Sequence, residues 1–243
     1  MHNTKAGGLY ISDRFVKTLK ASYLSDDFFL KDIDNHSEKR RSMATSNPMK
    51  FSEIKAHLSK FRVGIAGAGG LGSNCAVALA RCGVGTIVIS DFDIIEEANL
   101  NRQYYFIEQV GMLKTIALKE NISRINQEVF VIIHQKKLNR MNIPEIFSGC
   151  HVIVEAFDES TMKEMLVETV QIKMTGTPLV IGSGMAGWGK SGEIRYRKID
   201  NTLFVCGDED SEVSENMPPL APRVGMVANM QANVVIEILM NLR

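Results

Sequence analysis

Three glycines, Gly67, Gly69 and Gly72, follow a short apolar run from Val63 to Ala66 and precede a helical stretch reaching Arg81. Residues without a Cβ at that spacing let the backbone turn tightly, approach a phosphate and aim the first amides of the next helix at an anion. Gly70 and Leu71 complete the turn. Asp91 closes the next β-branched run, Thr86 to Ser90, where a carboxylate can accept hydrogen bonds from ribose hydroxyls. Together these residues specify a nucleotide without saying which one, and they fit a nicotinamide or flavin dehydrogenase as well as an ATP-dependent enzyme.

Further chemistry follows directly in Asp93, Asn99, Arg102, Gln103 and Lys114. Moving a carboxylate onto an α-phosphate brings two anions together, so fixed cations must offset repulsion and stabilise charge developing in the transition state. Arg102 offers a planar fork for that task and Lys114 a compact charge. Asp158 follows a third apolar run, His151 to Ala156, which puts it at a strand's C-terminal end, where open α/β sheets bind ligands. Its carboxylate suits Mg²⁺, a cation that takes hard oxygen ligands, and equally suits the cap of the next helix.

The ordered set of Gly67 to Gly72, Asp91 and Asp93, Asn99 to Gln103, then Gly111 and Lys114 resembles the signature of the ThiF/MoeB/HesA family and of the adenylation domains of ubiquitin-activating enzymes. The resemblance runs from about Phe61 to the C-terminus. It implies ATP and Mg²⁺, with Arg102, Lys114 and Asp158 catalytic and Asp158 also the Mg²⁺ ligand. Gly67, Gly69, Gly70, Leu71, Gly72, Asp91, Asp93, Asn99 and Gln103 would bind the nucleotide. The implied reaction is adenylation of the C-terminal carboxylate of a small ubiquitin-like sulfur-carrier protein ending in Gly-Gly, with pyrophosphate released. A separate sulfur-donor protein and a homodimer are implied partners. The segments Gly182 to Gly189, Pro218 to Gly225 and Met230 to Ala232 resemble a short ThiF-like subgroup, which points to a thiamine-type carrier. A molybdopterin carrier, a modified tRNA nucleoside, an NAD-dependent oxidoreductase and a non-catalytic scaffold stand as alternatives.

The chain also departs from that family. None of its four cysteines forms a C-x-x-C pair, so the structural zinc of many relatives is not expected, and their Arg-Tyr-x-Arg-Gln-type N-terminal segment has no counterpart. Cys206 is the only cysteine placed to form a covalent link with a carrier, against the ordinary reading of a free cysteine as buried packing.

Positioning these residues requires strands alternating with helices, hence a mainly parallel sheet covered on both faces. The expected class is α/β and Rossmann-like, with a small antiparallel addition near the C-terminus. After the first βαβ unit, the pattern predicts a helix over 109–126 and strands over 129–134 and 151–156. A helix over 159–174 and a strand opening at Pro178 come next, then a hairpin over 193–198 and 202–205 and a closing helix over 224–242. That apolar closing helix is either core or dimer interface. Residues 1–50 read as an N-terminal extension, with a short docking helix after Ser12-Asp13, and 51–243 as the ATP-binding domain.

Composition bounds the remaining classes. With 28 basic and 28 acidic side chains, the chain carries no global drive toward nucleic acid or an anionic membrane. Apolar residues at 45% suffice for a core, and the cysteine pattern fits a reducing cytoplasm. The acidic run from Asp208 to Val213 reads as a solvated loop, Trp188 as a contact for a carrier tail or a gap-filler, and His134 and His151 as satisfied core residues.

Overall fold

The computed structural model describes residues 49–242, so the helix expected after Ser12-Asp13 lies outside the described residues. Each central strand is apolar almost throughout because it is buried on both faces. In β1 (Arg62–Ala66), Val63 and Ile65 join the large core cluster on one side. Gly64 faces the other side, where a Cβ would stand 2.6 Å from the Phe147 ring. The same period of two puts Ile87 and Ile89 of β2 (Thr86–Ser90) into the large cluster.

β3 (Phe130–His134), β4 (Val152–Glu155) and β5 (Leu179–Gly182) continue the parallel sheet. β6 (Arg195–Lys198) is the outer antiparallel edge, paired to β7 (Leu203–Gly207), which itself runs parallel to β5. The strand order is β3-β2-β1-β4-β5-β7-β6. Connections therefore leave β1 in opposite directions, and the crevice this opens lies at the C-terminal ends of β1 and β4.

The helices are α1 (Phe51–Leu58), α2 (Gly70–Cys82), α3 (Lys114–Ile125), α4 (Ile143–Ile146), α5 (Ser160–Lys173) and α6 (Ala221–Asn241). Gly83, left-handed at φ 89°, ends α2 by turning its amide back to Ala80, so β2 can begin three residues later. The apolar face of α6, with Val224, Val227, Ala228, Val235 and Leu239 buried, packs on α2 and on β4, β5 and β7. The closing helix is therefore core within this chain. Among the described residues, no helix is long and apolar enough to cross a membrane.

The helix expected from Gln109 begins only at Lys114. Gly111 takes φ 88°, and its neighbours form a short antiparallel pairing in which Ile95 N donates to Met112 O at 2.8 Å and Gly111 N to Ile95 O at 2.8 Å. Residues Ile107–Gln109 make a separate single turn. The late start makes Lys114 the first residue of α3, with its backbone N donating to Asp93 O at 2.9 Å.

Candidate functional site

The glycine turn is built where backbone crowds backbone. Gly67 takes φ +101°, and a Cβ there would lie 2.8 Å from Ala156 O, at the exit of β4. A Cβ on Gly72 would overlap Gly67 O, so only glycine lets the start of α2 close onto the turn. Asp91 fixes the turn from the end of β2, accepting from Ala68 N at 2.6 Å and from Asp93 N at 2.8 Å. Burial pushes the Asp91 carboxyl above its ordinary value, partly offset by those two amides and by Lys114. Ser73 N is the first amide of α2 to find a partner, Gly69 O at 3.0 Å. Among the described residues, the amides of Gly69, Gly70, Leu71 and Gly72 have no protein acceptor, which leaves a cluster of donors at a helix N-terminus suited to phosphate.

Arg102 reaches this cluster from the loop after β2. Its stem would lie 3.5 Å from a Cβ on Gly70, while Nη1 donates to Ala98 O at 3.2 Å and to Asn101 Oδ1 at 2.8 Å. Gln103 sits beside Gly69, is 8% exposed, and its Oε1 is buried without a partner. Lys114 is 7% exposed and its Nζ lies 2.9 Å from Asp93 Oδ2, so Asp93 orients the lysine while Asp91 orients the turn. Asn99 caps its own turn, Oδ1 accepting from Glu96 N at 3.0 Å, which ties it to loop shape. Asp158 is exposed two residues beyond Ala156, the residue against which Gly67 packs. Glu159 is the N-cap of α5 and makes no side-chain cap bond, so the capping role open to Asp158 in the sequence is not taken up.

Other parts of the site carried little sequence signal. Glu155, fully buried at the end of β4, pairs with Lys163 and accepts from Phe157 N at 2.7 Å, setting the path of the chain toward Asp158. Lys163 also donates to Gly182 O at 2.6 Å, joining β4, β5 and α5. Asp208, expected in a solvated run, pairs instead with Arg223, their side chains only 5% and 4% exposed. Arg223 also donates to Gly189 O at 2.6 Å, and Asp208 Oδ1 accepts from the amides of Asp210 and Ser211. Burial raises the Asp208 carboxyl, but those amides, Ser211 and Arg223 outweigh it and hold it below its usual value. The one sequence clue was an arginine beside the start of a largely apolar helix. Val224, the next residue, would touch a Cβ on Gly70, so the start of α6 borders the glycine turn.

Cys206 is fully buried in β7, and burial pushes its thiol up to about 12. It offers no thiolate to a carrier. Trp188 is 66% exposed and fills no gap. His151 is exposed rather than core, although its Nδ1 accepts from Arg62 N at 3.0 Å, and burial holds half-buried His134 below its ordinary value.

A model of the ThiF family matches residues 41–243. The chain belongs to the ThiF family. It is 32% identical over 182 residues to "Adenylyltransferase and sulfurtransferase UBA4" of Eremothecium gossypii, covering 74% of this chain and 38% of that protein. "Adenylyltransferase and sulfurtransferase MOCS3" of Caenorhabditis briggsae is 31% identical, covering 75% of this chain and 46% of its own length. This ThiF-family chain thus spans less than half the length of these curated relatives. Its fold is that of E. coli tRNA N6-threonylcarbamoyladenosine dehydratase, TcdA, solved in complex with ATP, at TM-score 0.70 and 20% identity over 77% of this chain and 89% of that one.

Proposed function

We propose that this chain is an adenylyltransferase that binds ATP at the C-terminal edge of the sheet and transfers AMP to the C-terminal carboxylate of a small ubiquitin-like sulfur carrier. The observation that carries the reading is a cluster of free turn amides at the start of α2 with the Arg102 stem against Gly70 and the Gln103 side chain beside Gly69. An oxidoreductase has no need of the two cations, Arg102 and Lys114, that follow β2. The names of the curated relatives, adenylyltransferase and sulfurtransferase, and the ATP bound by TcdA support the same choice.

In this mechanism the carrier carboxylate, already ionised at neutral pH, attacks the α-phosphorus. A carboxylate oxygen–phosphorus bond forms, the bond to the β-phosphate bridging oxygen breaks, and pyrophosphate leaves with that electron pair. Turn amides and Arg102 stabilise charge on the phosphates, Asp91 holds the ribose, and Asp93 holds Lys114 toward the same crevice. The site fits Mg²⁺ because Asp158 presents an uncommitted carboxylate beside the turn, and such a cation commonly takes one carboxylate together with phosphate oxygens. When bound, it would neutralise the triphosphate and the departing pyrophosphate.

The finer reading is a thiamine-type carrier ending in Gly-Gly, a separate sulfur donor, a homodimeric cytoplasmic enzyme, and residues 1–50 as an extension to a domain over 51–243. ATP–pyrophosphate exchange with Mg²⁺, run with intact and tail-truncated carriers of the thiamine and molybdopterin types, tests this reading. Exchange that requires the intact tail supports adenylation and names the carrier class. ATP binding without exchange on any carrier would move the substrate to a tRNA nucleoside or remove catalysis, and tight NAD binding would overturn the proposal.

A further inference from the structure

Gly67 and Gly69 flank Ala68, so the two peptide planes on either side of Ala68 are joined at residues with few steric barriers to rotation. Each plane is held by a different side chain. Asp91 takes the first, accepting from Ala68 N at 2.6 Å. Tyr105 takes the second, its hydroxyl donating to Ala68 O at 2.7 Å, with Lys114 O a more distant acceptor at 3.3 Å.

Tyr105 is 6% exposed, and the segment that carries it is itself anchored to α3. Asn121 Nδ2 donates to Tyr104 O at 3.0 Å, and the Asn121 and Gln109 amides bond reciprocally at 2.9 and 3.0 Å. Burial, Asp91 and Asp93 push the Tyr105 phenol well above its ordinary value, so it remains a donor across the physiological range.

The Ala68–Gly69 peptide is trans, so Gly69 N–H points away from the carbonyl that Tyr105 holds. That amide has no protein acceptor among the described residues. We propose that Tyr105 is a positioning residue for the phosphate site: by holding Ala68 O on the protein side, it keeps Gly69 N–H turned toward the nucleotide phosphates. The inference rests on the ATP reading above and adds to it a residue outside the glycine fingerprint.

Tyr105→Phe removes one hydroxyl, keeps the ring and frees the second plane to turn. ATP and adenosine affinities of the full chain, wild type and Y105F, form the test. ATP should bind Y105F about tenfold more weakly, roughly 1.4 kcal/mol, while adenosine, held through Asp91, binds both proteins alike. Equal ATP affinity would overturn the inference, and so would proportional loss of both ligands, which marks a general structural role. Should Y105F not fold, the wild-type Gly69 amide decides by NMR: a shift with ATP and none with adenosine supports the assignment, and an unmoved amide overturns it. Wild-type protein that binds adenosine but not ATP would defeat the adenylation reading itself, a different result from ATP bound equally by both proteins.

Discussion

The site has two walls built on opposite plans. The glycine turn with the loop from Asp91 to Lys114 is assembled from a single stretch of chain, and its bonds to the nucleotide would come largely from backbone amides. The segment from Gly184 to Leu220 is built differently. It is closed by long-range clasps: Arg223 to Asp208 and Gly189, Ala186 N to Ser211 Oγ, and Asn101 Nδ2 to Pro219 O. The first wall concentrates function in donors left unsatisfied by the protein. The second concentrates stability in a buried ion pair, Arg223 with Asp208. Damage to the first should therefore cost activity at constant fold, and damage to the second should cost fold first.

Arg102→Ala is the strongest way to break this contrast. ATP–pyrophosphate exchange should fall by about a thousandfold, as when one transition-state electrostatic contact is lost, while the unfolding midpoint stays within about 2 °C because Arg102 is only half buried. A large loss of stability would show that this wall is structural as well. Asp208→Asn should do the opposite: leaving Arg223 buried without its counter-charge costs about 3 kcal/mol, or about 10 °C in melting temperature for a domain of this size. Exchange measured well below that melting point should stay near wild type, and thermal and urea denaturation check the stability.

The pH dependence sharpens the same comparison. Asp208 has a depressed carboxyl in the folded chain, so its stabilisation is complete above the unfolded carboxylate value of about 4 and is lost as pH falls through the lower folded value. The stability difference between wild type and Asp208→Asn should be flat from neutral pH to about pH 5 and shrink only in more acid solution. A difference that disappeared near neutrality would mean that the clasp is held by another group. The smallest expected effect is Cys206→Ser. Its thiol is buried and protonated, so exchange with any carrier should be unchanged, and a lost carrier adduct would return Cys206 to the reaction.

The sequence alone determined the first wall. Gly67, Gly69 and Gly72 between an apolar run and a helix, with Asp91 one strand later, require only local geometry: a turn without Cβ atoms, a helix N-terminus and a carboxylate at a strand end. The parallel sheet was equally legible, because strands buried on both faces are apolar throughout. The tertiary structure decided the rest. Whether Asp208 was solvated or clasped depended on Arg223 fifteen positions away folding back beside it. Lys114 became the first residue of a helix because Gly111 paired with Ile95 instead of continuing the apolar period. Tyr105 carries no sequence signal of its own, because its part depends on its hydroxyl meeting Ala68 O across the turn. Periodicity reports which face of an element is apolar, and spacing reports which chemistry is local. Neither reports which polar group meets which across the core, because that choice is made when the elements pack.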